Sequence, residues 1–292
     1  MDTIMSASRS DKFYFPRGGL VLQVENTLFR LHQDILARHS GFFEDMLSTP
    51  TSDDTEGTEK NPLVLPSDLC SARSFTILCK LLYPPKMGAH LSISVKQLKD
   101  WEHVLQATVA LQMTDTRTLI LKRLDEDTPN IKYDAVRLLR LYLDYEEAPP
   151  SLRYTCLCIL ACRRRQITPD EVRILGGEGT CLVNYIREAV RENLSLHLIR
   201  LLHQNKEAIP ARHAECIPIA YSRMVRSSID KGLPQTKIDD THDIFQDALG
   251  CMSCSLCSSP WKLTVESLKI LSNGLVDRNT SGAPPTADTS QA

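Results

Sequence analysis

The chain has 292 residues, 42% of them hydrophobic and 24% charged, with a formal net charge of −2. This is a globular composition with enough length for one large or two smaller domains, so a wholly disordered chain is excluded. The balanced charge argues against a dominant pull toward nucleic acid or an acidic membrane, and no run of about 18 apolar residues offers a membrane span.

Residues 1–12 read as a flexible tail. Met1 to Pro16 is polar and has no apolar stretch of the secretory kind, so an intracellular location, cytoplasm or nucleus, is expected. The ten cysteines are then expected as buried thiols rather than disulfides. Leu20 to Glu25 reads as a strand, Asn26-Thr27 as its turn and Leu28 to Leu31 as the returning strand. The apolar alternation is only partial, which suits a hairpin buried on both faces along one half. Ile35, Leu36, Phe43 and Leu47 then mark two short helices. Of Phe42 and Phe43, one is expected inside and the other is available as a partner anchor. Thr49 to Lys60 is a solvated loop, and Leu63-Val64-Leu65, framed by Pro62 and Pro66, suits the edge of a sheet.

Ala72 to Tyr83 carries Phe75, Leu78, Cys79 and Leu82 at helical spacing, and Pro84-Pro85 ends it. Ser94 to Gln97 has the form of a capping box, with Gln97 reaching back. Leu98, Trp101, Leu105 and Val109 mark the face of the helix that follows, and Leu119, Ile120 and Leu124 the inner face of another. After about residue 125 the chain reads as helical. Ala135, Leu138, Leu139 and Tyr142 form one stripe, and Leu152, Cys156, Ile159 and Leu160 a second. Thr168-Pro169-Asp170-Glu171 is a helix start with threonine at the N-cap, proline at the first position and glutamate at the third. Gly176-Gly177-Glu178-Gly179 reads as a loop, after which Tyr185, Ala189, Leu196 and Ile199 continue a helical pattern. Residues 275–292 have a disordered composition.

The hairpin with Phe29, His32, Leu36, Ser40 and Phe43 resembles the BTB/POZ pattern of a hydrophobic strand, a turn, "F-x-x-H-x-x-x-L" and "S-x-x-F". Leu63 to Pro66 is similar to the next strand of that family, and Phe75 to Tyr83 to its "F-x-x-x-L-x-x-x-Y" helix. Leu81-Leu82-Tyr83-Pro84, Ile167 to Glu171 and Arg187-Glu188 look like elements of fungal BTB-domain proteins. The resemblance implies an adaptor or scaffold that pairs with itself or with other proteins. Some relatives recruit cullin-type ubiquitin ligases, and others act in transcriptional complexes. Members that dimerise through a charged pocket carry Asp and Arg where this chain has Gly19 and Gln33, so the charged pair of that contact is missing here.

Several residues have a site-like look. His32 is expected to pack and hydrogen-bond at a strand-to-helix turn rather than to catalyse or bind metal. Cys251, Cys254 and Cys257, with His242, could converge on one Zn²⁺, but no second CxxC pair accompanies them, and the same spacing puts small thiols on one helix face. Cys156, Cys158 and Cys162 read as core. Arg163-Arg164-Arg165 reads as a solvated run complementing a helix C-terminus. The glycines at 176–179 lack the Lys and Ser/Thr of a phosphate loop, and no nucleophile elbow or His-Glu-x-x-His occurs. No catalytic, cofactor-binding or metal residue is therefore assigned, and no cofactor is expected.

The expected fold is α+β. A BTB/POZ-like domain over 13–125 combines a small mixed sheet with helices. A helical extension covers 126–230, a Cys-containing helical segment 231–274 and a disordered tail 275–292. The function expected is non-enzymatic protein–protein interaction. The partners implied by the resemblance are a second copy, a cullin-type ligase or a transcriptional complex, with no membrane and with nucleic acid disfavoured. The alternative is a zinc-supported nucleic-acid-binding regulator using the C-terminal cysteines.

Overall fold

The computed structural model describes residues 7–49, 56–86, 91–163 and 165–208. Two units divide between Asn130 and Ile131, a few residues beyond the expected boundary at 125. The described part bears out the α+β reading: a small mixed sheet with helices, then helices alone.

In the first unit, β1 (Ser8–Tyr14), β2 (Leu20–Val24), β3 (Thr27–Leu31) and β4 (Leu63–Leu65) form one sheet in the order β1-β3-β2-β4. β2 and β3 are the expected antiparallel hairpin, from Leu20 opposite Leu31 to Val24 opposite Thr27. The turn falls one residue early, at Glu25-Asn26, with Glu25 at φ 51°. β4 pairs in parallel with β2 and is an edge, as its flanking prolines require. Leu20, Val21, Leu22 and Val24 are all buried, because this central strand is covered on both faces.

The expected tail over 1–12 is corrected at its end: residues 8–12 belong to β1, which pairs in parallel with β3. An edge strand needs only main-chain partners and one anchor, so its side chains can stay polar. The Ser8 N–H donates to the Asn26 carbonyl at 3.0 Å, and Phe13 is its buried anchor. Between β1 and β2 the chain passes so close to β3 that a Cβ on Gly18 would lie 2.9 Å from the Arg30 carbonyl carbon and oxygen. Backbone cannot yield as a flexible side chain would. Gly18→Ala is expected to destabilise the chain by about 2 kcal/mol, read as a lower urea midpoint with an unchanged slope.

Helices α1 (Gln33–His39), α2 (Gly41–Ser48), α3 (Ala72–Leu82), α4 (Leu98–Ala110) and α5 (Thr114–Glu126) complete this unit. Phe29, Phe43 and Phe75 are fully buried, and Phe29 meets Phe75 edge-on at 4.9 Å. The capping box at Ser94 is corrected. The Ser94 hydroxyl caps the Lys96 N–H, but the Asp127 carboxylate, not Gln97, accepts from the Ser94 hydroxyl and the Val95 N–H at 2.8 and 2.9 Å. A charged acceptor from the end of α5 replaces the local one. Val109 and Leu119, expected inward, are exposed, while Val104 and Leu121 take core positions. The other expected positions, Leu98, Trp101, Leu105, Ile120 and Leu124, are buried as read.

A single turn, α6 (Thr128–Ile131), falls at the boundary. In the second unit, α7 (Ala135–Asp144), α8 (Pro150–Cys162) and α9 (Pro169–Ala208) pack on one another. Leu138, Leu139, Leu152, Cys156, Leu160, Leu175, Val183 and Ile186 fill the core. The expected loop at 176–179 shrinks to one residue. Gly176 alone leaves the helical region, at φ 70°, and kinks α9. That backbone suits glycine. Gly179 stays helical and is needed for close approach: a Cβ there would meet Leu143 at 3.0 Å and Leu175 at 3.2 Å. Tyr185, read as continuing the helical pattern, lies in α9 and is exposed.

Candidate functional site

On the first unit, three places carry features that could meet a partner. The first is where β1 leads into β2 and β3 leads into α1. Phe15, His32 and Tyr83 are half-buried with ring centroids 4.9–5.9 Å apart. The His32 backbone N–H donates to the Tyr83 hydroxyl at 3.1 Å. Burial pushes the Tyr83 hydroxyl above its ordinary pKa, so it stays a neutral phenol. His32 packs at the turn as expected, but its hydrogen bond comes from the backbone. The buried ring Nδ1 has no partner in this structure.

Beside this cluster lie Gly19 and Gln33. The Gln33 side chain would touch a Cβ on Gly19 at 3.6 Å, and its amide donates to the Gly19 carbonyl at 3.5 Å. Gly19 and Gln33, where the resemblance implies an Asp and an Arg in charged-pocket dimers, are thus neighbours here, and both are neutral.

The second place is α2. Ser40 is buried, accepts from the Phe43 N–H at 3.2 Å and donates to the Leu111 carbonyl at 2.6 Å. One hydroxyl therefore caps α2 and ties it to the end of α4, which sets the helix phase. In that phase Phe43 points into the core and Phe42 is half-buried, edge-on to Phe43 at 5.3 Å. The partner-anchor role is open to Phe42, not Phe43.

The third place is the pair of sheet edges. Val64 on β4 is 60% exposed, and β1 forms the other edge of the sheet. An apolar edge strand is a natural site for adding a partner strand.

Among the described residues, those singled out in the sequence are not brought together into a catalytic arrangement. Burial pushes the Cys70 thiol up to about 12 and raises Cys79 further, so neither supplies a thiolate at neutral pH. Of the three cysteines expected as core, Cys156 is buried, Cys158 is half-buried, and the side chain of Cys162 lies outside those described. Cys251, Cys254, Cys257 and His242 lie outside the described residues. Among the described residues, no group of three or more His, Cys, Asp or Glu is placed to hold a metal ion. No helix among them is long and apolar enough to cross a membrane.

The arginine run is corrected at Arg163; Arg165 is 65% exposed as a solvated run implies, and Arg164 lies outside the described residues. The Arg163 side chain is only 11% exposed and donates both terminal nitrogens to the equally buried Glu171 carboxylate, at 2.8 and 2.6 Å. Arg165 joins the same carboxylate. The Thr168 N–H also donates to Glu171 at 2.8 Å, and the Thr168 hydroxyl accepts from the Glu171 N–H at 3.3 Å. The expected capping box is present, and it doubles as a clamp on two arginines. The sequence showed the box but not the clamp.

Residues 19–128 match the family model of the BTB/POZ domain. The first unit is a BTB/POZ domain. The match starts within the β1–β2 connection and ends at the start of α6, so it covers the hairpin, β4 and the five helices that carry the features above. No curated protein matches the chain. BTB/POZ domains mediate protein–protein contacts and oligomerisation, and are typically interaction modules rather than enzymes. The domain here supports an adaptor role.

Proposed function

We propose that this chain is an adaptor whose BTB/POZ domain associates first with a second copy of itself, through apolar and main-chain contacts rather than a charged pair. The observation that carries the reading is the neutral Gly19–Gln33 contact, set beside the half-buried Phe42 and the exposed Val64. Such a surface gains from apolar burial and edge pairing. Delivery to a ubiquitin ligase or a transcriptional complex is the role that a self-paired adaptor of this family would serve.

The test is the molar mass of the full chain by light scattering, over a concentration series at low and high salt. A fragment starting at Phe13 would remove most of β1, so the whole chain is used. A dimer mass that changes little with salt is expected. A strict monomer at high concentration would overturn self-association. The double substitution Gly19→Asp with Gln33→Arg is expected to fold, because a Cβ at Gly19 meets only the Gln33 side chain. It should make association salt-sensitive, since it returns opposite charges to that position.

A further inference from the structure

We propose that the second unit carries a separate groove for a short acidic peptide bearing an aliphatic side chain. The observation is a cavity of about 730 Å³ at the start of α7, the end of α8 and the start of α9. That volume lies within the range of pockets that hold compact organic ligands. Its walls include Ala135, Val136, Ile159, Leu160 and Ile174, which suit an aliphatic side chain. Its charged lining is Lys132, Arg163 and Arg165 against Asp134 and Glu171, an excess of positive charge.

These charges differ in availability. Arg163 and Glu171 are locked together. Arg165 is 65% exposed and shares the same carboxylate, so much of its guanidinium faces solvent. Lys132 is exposed, with its ammonium 5.6 Å from the centre of the Tyr133 ring, and Tyr133 is itself 68% exposed. Asp134 sits at the N-cap of α7 but makes no cap bond, and its carboxylate lies 3.5 Å from Arg137. The buried Arg187 donates to the carbonyls of Leu160 and Arg165, two of the lining residues, at 2.7 and 3.0 Å and so holds their backbone in place.

The pairing of cations with an apolar wall selects the occupant. Inorganic phosphate would use the cations and leave the apolar wall empty. A carboxylate next to an aliphatic group uses both. The inference does not depend on the self-association reading, because the light-scattering mass reports that separately.

The experiment is fluorescence anisotropy with the full chain and a short fluorescein-labelled peptide of alternating aspartate and leucine. Saturable binding is expected, weakened about tenfold by Lys132→Glu and by Tyr133→Ser. Both positions are exposed and outside the Glu171 clamp, so circular dichroism should match the parent. A matching lysine–leucine peptide should not bind. Any of the following overturns the proposal: no saturation, equal binding of the lysine peptide, unchanged binding in both variants, or full displacement by inorganic phosphate or phosphatidylserine vesicles at equal charge.

Discussion

Glu171→Gln is expected to lower the stability of the helical unit by about 3 kcal/mol, because it strips the charge from a carboxylate that holds two arginines. Glutamine can still accept one hydrogen bond, but it cannot compensate a guanidinium that is 11% exposed. The loss is read as a lower urea midpoint, followed by helical circular dichroism at neutral pH. Replacing Glu171 and Arg163 together by leucine and methionine is expected to recover most of it. The unpaired buried charge then disappears, and Arg165 is already solvated. The pH dependence has a definite sign. Burial alone would raise the Glu171 carboxyl. The bonds from Arg163 and the Thr168 N–H, with the charges of Arg163 and Arg165, outweigh it and hold the value at about 2, below the ordinary 4.5. The folded value lies below the unfolded one, so this stabilisation is complete above about pH 4.5 and is lost as pH falls toward 2. Glu171→Gln should remove that acid-sensitive part of the unfolding curve. An unchanged acid profile would assign the dependence to other carboxylates.

The parts of this molecule that could be read from sequence are those whose causes are local. The Thr168 box, the Leu20–Leu31 hairpin and the proline-framed β4 rest on residues three or four apart, on a turn or on flanking prolines, and the structure holds all three. β1 was not legible, because its pairing comes from the main chain of β3 and its side chains carry almost no period. The Ser94 cap departs from its local pattern for a related reason: the acceptor, Asp127, is distant in sequence and close only after folding. The Arg163 clamp needed a turn between α8 and α9 that no spacing announces. Val109 and Leu119 show a further limit. A stripe can be drawn through several apolar residues, and only packing decides which of them face in.

The two phenylalanines of α2 turn that limit into a measurement on the interaction surface. The sequence offers Phe42 and Phe43 as equals, and the Ser40 cap decides between them by fixing the phase of the helix. Phe43→Ala is expected to cost about 3–5 kcal/mol, because a fully buried ring leaves a cavity that the cap and its tie to Leu111 prevent from collapsing. Phe42→Ala removes one edge-on ring contact at 5.3 Å and some half-buried surface, so about 1 kcal/mol is expected. The order should invert when association is read instead. At temperatures where both variants remain folded, Phe42→Ala should shift the light-scattering mass toward monomer by about tenfold in Kd, as loss of an aromatic anchor does. Phe43→Ala should leave it nearly unchanged. Urea unfolding and the mass series on the same two variants therefore separate a core residue from a contact residue. A Phe42→Ala chain that associates like the parent would remove α2 from the interface and leave the sheet edges, with Val64 on β4 and the open side of β1, as the surface to vary next.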